Sequence, residues 1–90
     1  WAPKAAYNAG KMYHRFFRFK SAMGIYKKCI ATWPEADYVP ECYYRVAFCY
    51  EKLDRGDKAI AAYRDFIARY PEHEMVGQAK NRITLVQANQ

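Results

Sequence analysis

No aspartate or glutamate occurs among the first 34 residues, which carry seven basic groups, Lys4, Lys11, Arg15, Arg18, Lys20, Lys27 and Lys28. Residues 35–90 hold eight basic and nine acidic groups, so the net charge of +6 belongs entirely to the N-terminal third. Such asymmetry bears on partners and steering rather than on fold. Serine occurs once, at Ser21, and there is no glycine-rich phosphate loop and no isolated carboxylate pair in an apolar setting. No catalytic constellation is assembled from what remains, and an enzyme is not expected. Cysteine is scarce and odd in number, which argues against a fully paired disulfide framework. Cys42 and Cys49 stand two helical turns apart, about 10 Å along one helix face, too far to bridge each other. His14 and His73 lack companions at ligand spacing, so neither zinc nor any other cofactor is expected. No run approaches the roughly 18 apolar residues of a membrane span, and no signal peptide is visible. The chain begins at Trp1 rather than Met, which reads as a processed product or an excised piece, so a missing targeting signal carries little weight.

What is present is repetition. Tyr13 recurs as Tyr50, Ala22 as Ala59, Tyr26 as Tyr63, Ile30 as Ile67 and Pro34 as Pro71, always 37 residues on. Close replacements fill the gaps: Ala9 with Val46, Gly10 with Ala47, Met23 with Ile60, Trp33 with Tyr70. The same step continues as Cys42 to Ala79, Val46 to Ile83 and Cys49 to Val86. A fixed period of this size means one supersecondary unit stacked on copies of itself. With 52% hydrophobic and 18% aromatic residues, the chain has the material for a core without staples.

Hydrophobic spacing predicts helices throughout and no strand. The first, over 3–15, starts with Pro3 in its first turn and sets Ala5, Ala6, Ala9, Met12, Tyr13 and Phe16 toward the core. The second, about 20–32, carries Ala22, Met23, Tyr26, Cys29, Ile30 and Trp33 and is ended by Pro34. Pro34–Pro40 is the inter-repeat loop. A third helix, about 40–53, buries Cys42, Tyr43, Val46, Ala47, Cys49, Tyr50 and Leu53. Asp54–Asp57 is a turn from which Asp57 can cap the fourth helix, about 58–70, with Ala59, Ile60, Tyr63, Phe66, Ile67 and Tyr70 inward. The last helix, about 74–88, keeps Val76, Ala79, Ile83 and Val86 in register. It places Lys80 where Tyr43 stood and Gln87 where Tyr50 stood, as a solvating cap would.

The patterns Ala6-x2-Ala9-Gly10-x2-Tyr13…Ala22-x3-Tyr26…Pro34 and Tyr43-x2-Val46-Ala47-x2-Tyr50…Ala59-x3-Tyr63…Pro71 resemble the tetratricopeptide repeat. Gly10 and Ala47 let the helices of a hairpin approach, Ala22 and Ala59 are their small partners, and the tyrosines fill the space beside them. The resemblance implies a single all-α domain over 1–90, a right-handed α-solenoid. Its parts would be repeat one at 3–34, repeat two at 40–71 and a capping helix at 74–88. Three departures stand out. The period is longer than the usual 34 residues, Phe17 and Asp54 occupy hairpin turns where glycine is usual, and Phe66 replaces a small residue. The Phe66–Pro71 ending and the long loop are similar to bacterial cell-envelope members, which implies a periplasmic or cell-envelope location.

Members of the family hold a partner segment in their concave face, and the resemblance assigns that face to the first helix of each repeat. It would carry Lys4, Tyr7, Asn8, Lys11 and Arg15, then Glu41, Tyr44, Arg45, Phe48 and Lys52, with Asn81, Arg82 and Leu85 from the last helix. Tyr7, Tyr44 and Phe48 are read as anchors, Tyr44 and Phe48 as exposed aromatics, for a protein segment, acidic or amphipathic, steered by Lys4, Lys11, Arg15 and Arg45. A carboxylate clamp through Asn8 and Arg45 is disfavoured because Glu41 would repel the ligand. Arg18, Lys20, Lys27 and Lys28 form a basic surface. The run Lys11–Lys20 interleaves aromatics with cations, yet a nucleic-acid reading is disfavoured because Tyr13 and Phe16 are assigned to the core. The alternatives are a segment of a longer solenoid, self-association through the exposed N-terminal helix, and docking of repeat one on an anionic membrane surface. The three cysteines sit where the family favours alanine and behave as small hydrophobes there. A Cys29–Cys42 bridge, which would pin repeat one to repeat two, stays open.

Overall fold

The computed structural model describes residues 3–89. Five helices follow one another: α1 (Pro3–Arg15), α2 (Phe19–Thr32), α3 (Val39–Lys52), α4 (Gly56–Arg69) and α5 (Val76–Ala88). Each packs chiefly on its neighbour in sequence, α1 on α2, α2 on α3, α3 on α4 and α4 on α5. The smallest dimension is 17 Å against 39 and 29 Å for the others, which is two helix layers at the usual interaxial spacing of about 8–10 Å. Helices stacked in two layers by local contacts alone form a solenoid.

The repeat is written in the backbone. Arg18 N–H donates to the Tyr13 carbonyl at 2.9 Å, and Arg55 N–H to the Tyr50 carbonyl at 2.9 Å. Trp33 to Cys29 recurs as Tyr70 to Phe66, Ala36 to Trp33 as His73 to Tyr70, and Val39 to Ala36 as Val76 to His73. The extra length expected in the Pro34–Pro40 loop is thus two successive tight turns, present after both hairpins. The second of them delays α5 to Val76, two residues later than its sequence pattern suggests.

Each hairpin turn follows a six-to-one and a five-to-two hydrogen bond, with Phe17 and Asp54 in the left-handed position at φ 62° and 60°. Glycine is the usual occupant because it has no Cβ to clash. Here two side-chain-bearing residues, both exposed, take that conformation. None of α2–α5 has a side-chain cap bond at its N-terminus. In particular Asp57, expected as a cap, lies inside the first turn of α4, and Arg55 holds the cap position. Asp57 contributes through the helix dipole instead.

Two clusters make the core. One joins Ala6, Tyr7, Ala22, Tyr26, Cys29, Cys42, Val46 and Cys49, and the other joins Tyr44, Ala47, Ala59, Tyr63, Phe66, Val76 and Ala79. Gly10 sets the approach of α1 to α2, since a Cβ there would stand 2.8 Å from the fully buried ring of Tyr26. Phe66, the oversized residue, is fully buried and faces Ala79, where the first cluster has Cys29 facing Cys42. A large–small pair thus fills the second junction where two cysteines fill the first. The three cysteines are free and buried, and burial pushes Cys42 and Cys49 up to about 12, so their thiols stay protonated at neutral pH.

One expectation fails. Met12 (61%), Tyr13 (41%) and Phe16 (66%) are exposed rather than core, and Ala5 is exposed with them. Their counterparts Cys49, Tyr50, Leu53 and Cys42 are covered because α2 lies against α3. Among the described residues, no helix lies against that side of α1.

A cationic inner face across α1, α3 and α5

Tyr7, Lys11 and His14 recur along α1 at spacings of three and four, so their side chains share one face. Tyr44, Arg45, Phe48 and Lys52 do the same on α3, and Arg82 meets them from α5. Tyr7 is buried, its ring stacked on Tyr38 at 4.7 Å and 6°. Its hydroxyl donates to Glu41, and Arg45 Nε donates to the same hydroxyl at 3.2 Å. Burial first, then the bond to Glu41, pushes the Tyr7 phenol up to about 12, so it stays a donor at any ordinary pH. Lys11 lies over the other part of this cluster, 5.3 Å from the Tyr7 ring.

Phe48 is the half-buried centre of the face. His14 stacks on it at 5.0 Å and 17°, and Phe19 meets it edge-on at 6.2 Å. Lys52 Nζ and the Arg82 guanidinium each lie 5.2 Å from the ring, within cation–π range. A shallow cleft of about 110 Å³ opens here, lined by His14, Tyr44, Arg45, Phe48 and Met75. Desolvation, then the fields of Arg45 and Lys52, lowers the His14 pKa, so the imidazole is neutral at pH 7. Glu51 pairs with Arg82 and accepts the Tyr63 hydroxyl at 2.9 Å, which fixes Arg82 against Phe48. Four permanent cations therefore meet two carboxylates, and both carboxylates are engaged in internal hydrogen bonds.

Of the residues read as groove-forming, Tyr7, Lys11, Tyr44, Arg45, Phe48, Lys52 and Arg82 come together. Lys4, Asn8 and Arg15 stand exposed on α1 beside them, and Asn81 and Leu85 are exposed on α5. The expectation that Tyr44 is an exposed ring is corrected, since it retains 9% of its surface, and Tyr7, read as an anchor, retains 5%. Tyr44 packs edge-on against Tyr63 and Phe66 at 5.5 and 5.8 Å and belongs to the core between α3 and α4. Arg18, Lys20, Lys27 and Lys28 are exposed as read, but Lys27 is committed locally. Its Nζ donates to the Tyr50 hydroxyl at 2.7 Å and covers that ring at 5.0 Å.

Residues 41–73 match the family model described as Tetratricopeptide repeat. The chain carries a tetratricopeptide repeat over that segment. Tetratricopeptide repeats generally mediate protein–protein interactions and are typically non-enzymatic modules. No curated protein sequence matches the chain. The matched segment holds α3, the α4 hairpin and the following loop, and the tetratricopeptide pattern recurs 37 residues earlier over α1 and α2. Among the described residues no cluster of histidine, cysteine and carboxylates is arranged to hold a metal, and no helix is long and apolar enough to cross a membrane.

Sequence reasoning missed His14, Phe19, Glu51 and Met75 as parts of this face. For His14 a signal existed, its spacing of seven from Tyr7 on the inner side of a tetratricopeptide first helix. Glu51 had none, because its role depends on α5 arriving beside α3.

Proposed function

We propose that the chain is a protein–protein interaction module that seats an acidic segment of a partner on the inner face of α1, α3 and α5. The observation that carries this reading is the gathering of Lys11, Arg45, Lys52 and Arg82 around Tyr7 and Phe48, with both nearby carboxylates already engaged. Cations held over rings and fixed by neighbours are pre-organised, so little side-chain freedom is lost when a carboxylate arrives. Phe48 supplies the apolar contact, and Lys4 and Arg15 extend the field along α1 and raise the association rate. Glu41, accepting from Tyr7, stands against a clamp for a chain-terminal carboxylate at that end of the face.

The experiment is affinity capture with mass spectrometry, comparing the wild-type chain with the Lys11→Glu/Lys52→Glu variant. Both lysines are exposed, so the variant keeps its helicity and melting temperature. Partners on the inner face are lost from the variant and weaken steeply as salt rises. Equal recovery by both proteins would remove the inner face from the function.

A further inference from the structure

The α3–α4 hairpin sorts charge between its two sides. One side holds a cleft lined by Glu51, Asp54 and Asp57, with Val86 and Asn89 from the end of α5. On the other, a cleft of about 400 Å³ is lined by Lys20, Arg55 and Lys58, and no carboxylate lines it. Met23, Tyr50 and Leu53 complete its wall. Lys20 and Met23 come from the start of α2, Tyr50 and Leu53 from the end of α3, and Arg55 and Lys58 from the start of α4. Tyr50 and Leu53 point to the opposite side of α3 from Arg45, Phe48 and Lys52, so this cleft is separate from the inner face.

The repeat does not account for these charges. At a step of 37 residues Lys20 corresponds to Asp57, and Lys58 to Ser21. Ion pairing does not account for them either, since among the described residues the ion pairs are Arg69–Asp65 and Arg82–Glu51. Three exposed cations gathered without a counter-charge repel one another, and an anion relieves that repulsion. Tyr50 is held in place by Lys27, whose Nζ donates to the phenol oxygen at 2.7 Å, while Lys58 Nζ lies 5.9 Å from the ring. Accepting that bond leaves the phenol its own hydrogen to donate.

The balance of charge selects the ligand. A carboxylate brings one negative charge, whereas a phosphomonoester brings about −1.5 to −2 at pH 7 and three strong acceptor oxygens. Guanidinium and ammonium groups both serve as phosphate binders. We infer that the cleft between α2 and the α3–α4 turn binds a phosphomonoester. Lys20, Arg55 and Lys58 meet the phosphate oxygens, the Tyr50 hydroxyl donates to one of them, and Met23 and Leu53 pack against the organic part. A soluble ester and a lipid headgroup share this chemistry.

Phenyl phosphate is titrated into the intact chain by calorimetry, with benzoate as the singly charged comparison. The lipid arm is co-sedimentation with phosphatidylcholine vesicles containing phosphatidic acid, a phosphomonoester, or phosphatidylserine, which is not one. Both arms compare the wild-type chain with Lys20→Gln/Lys58→Gln and with Lys4→Gln/Lys80→Gln, which removes the same charge elsewhere. All four lysines are exposed, so both variants are required to keep the wild-type circular dichroism and melting curve. Phenyl phosphate is expected to bind at least about fivefold more tightly than benzoate. Lys20→Gln/Lys58→Gln is expected to lose at least about tenfold, and Lys4→Gln/Lys80→Gln to stay within about twofold. Retention on phosphatidic acid vesicles beyond that on phosphatidylserine, lost with Lys20→Gln/Lys58→Gln, makes the ligand a headgroup. Phenyl phosphate binding without it makes the ligand a soluble ester. Failure of both probes, benzoate bound as tightly as phenyl phosphate, or equal losses in the two variants overturns the site. If both probes fail, a labelled poly(dT) strand retained by the wild type and lost by Lys20→Gln/Lys58→Gln would give the cleft to nucleic acid instead.

Discussion

Helices α1 and α3 hold the same place in the repeat and meet opposite environments. Cys49 is fully buried, whereas Met12, at the equivalent position, is largely exposed. Tyr50 lies under Lys27 and Lys58, whereas Tyr13 is open to solvent. The pattern of apolar residues is a statement about what a face is able to cover. Whether it is covered depends on a neighbour, and a repeat protein is the case where the neighbour is a separate unit. Helix α5, the third copy of this position, differs again: the side turned to α4 holds Val76, Ala79 and Val86 buried, and Lys80 and Gln87 stand in place of Tyr43 and Tyr50.

The sharpest test of the comparison is a pair of matched substitutions. Cys49→Asp buries an unpaired charge between α2 and α3 and is expected to cost more than about 3 kcal/mol, enough to unfold much of the chain. Met12→Asp, at the same repeat position, is expected to stay within about 0.5 kcal/mol. Urea denaturation of the two variants reads both, and similar losses would mean the exposed face of α1 is covered in solution.

Glycines give the next contrast. Gly10→Ala drives a Cβ into the Tyr26 ring, so about 1–2 kcal/mol of overpacking outweighs the helix-propensity gain. Gly24→Ala meets nothing within 4 Å on an exposed helix surface and is expected to stabilise by about 0.5–1 kcal/mol. Opposite shifts in melting temperature are the expected result.

The two hairpin turns differ more gently. Phe17→Gly relieves a left-handed aromatic residue and is expected to stabilise by about 1 kcal/mol, less the edge contact with Phe19 at 6.1 Å. Asp54→Gly gains less, because a short polar side chain tolerates that conformation better. If the gains were equal, strain at Phe17 would not be the difference between the turns.

The smallest effect is in pH. His14 stands where repeat two has Glu51, and its folded pKa is lowered. As pH falls through about 6.5 the unfolded chain takes the proton first, so stability declines until the folded pKa is reached. If an acidic segment seats on the inner face as proposed, it raises the His14 pKa in the complex, and its affinity is expected to rise as pH falls. His14→Gln removes both slopes, which melting and binding series between pH 5 and 8 would record.

Much of the fold was legible because its determinants are local. Proline at 34 and 71, apolar spacing of three and four, and a period of 37 act within a few turns of chain. The helix starts moved by one or two residues, because in the absence of side-chain caps packing decides where a helix begins. The inner face was half legible. The cations at 11, 45, 52 and 82 were placed on it from their register, but the depth of Tyr7 and Tyr44 was not. Register gives the direction of a side chain, while burial depends on how closely the next helix approaches.

By itself the sequence determined the helices, their order, the stacked repeat and the basic bias of the N-terminal third, since all four follow from spacing and composition. Only the tertiary structure decided that Phe48 becomes the centre of a cationic face, that Glu51 holds Arg82 there, and that Met12, Tyr13 and Phe16 stay in the open. Those outcomes depend on which side chains from distant helices arrive within a few ångströms, and no one-dimensional pattern carries that distance.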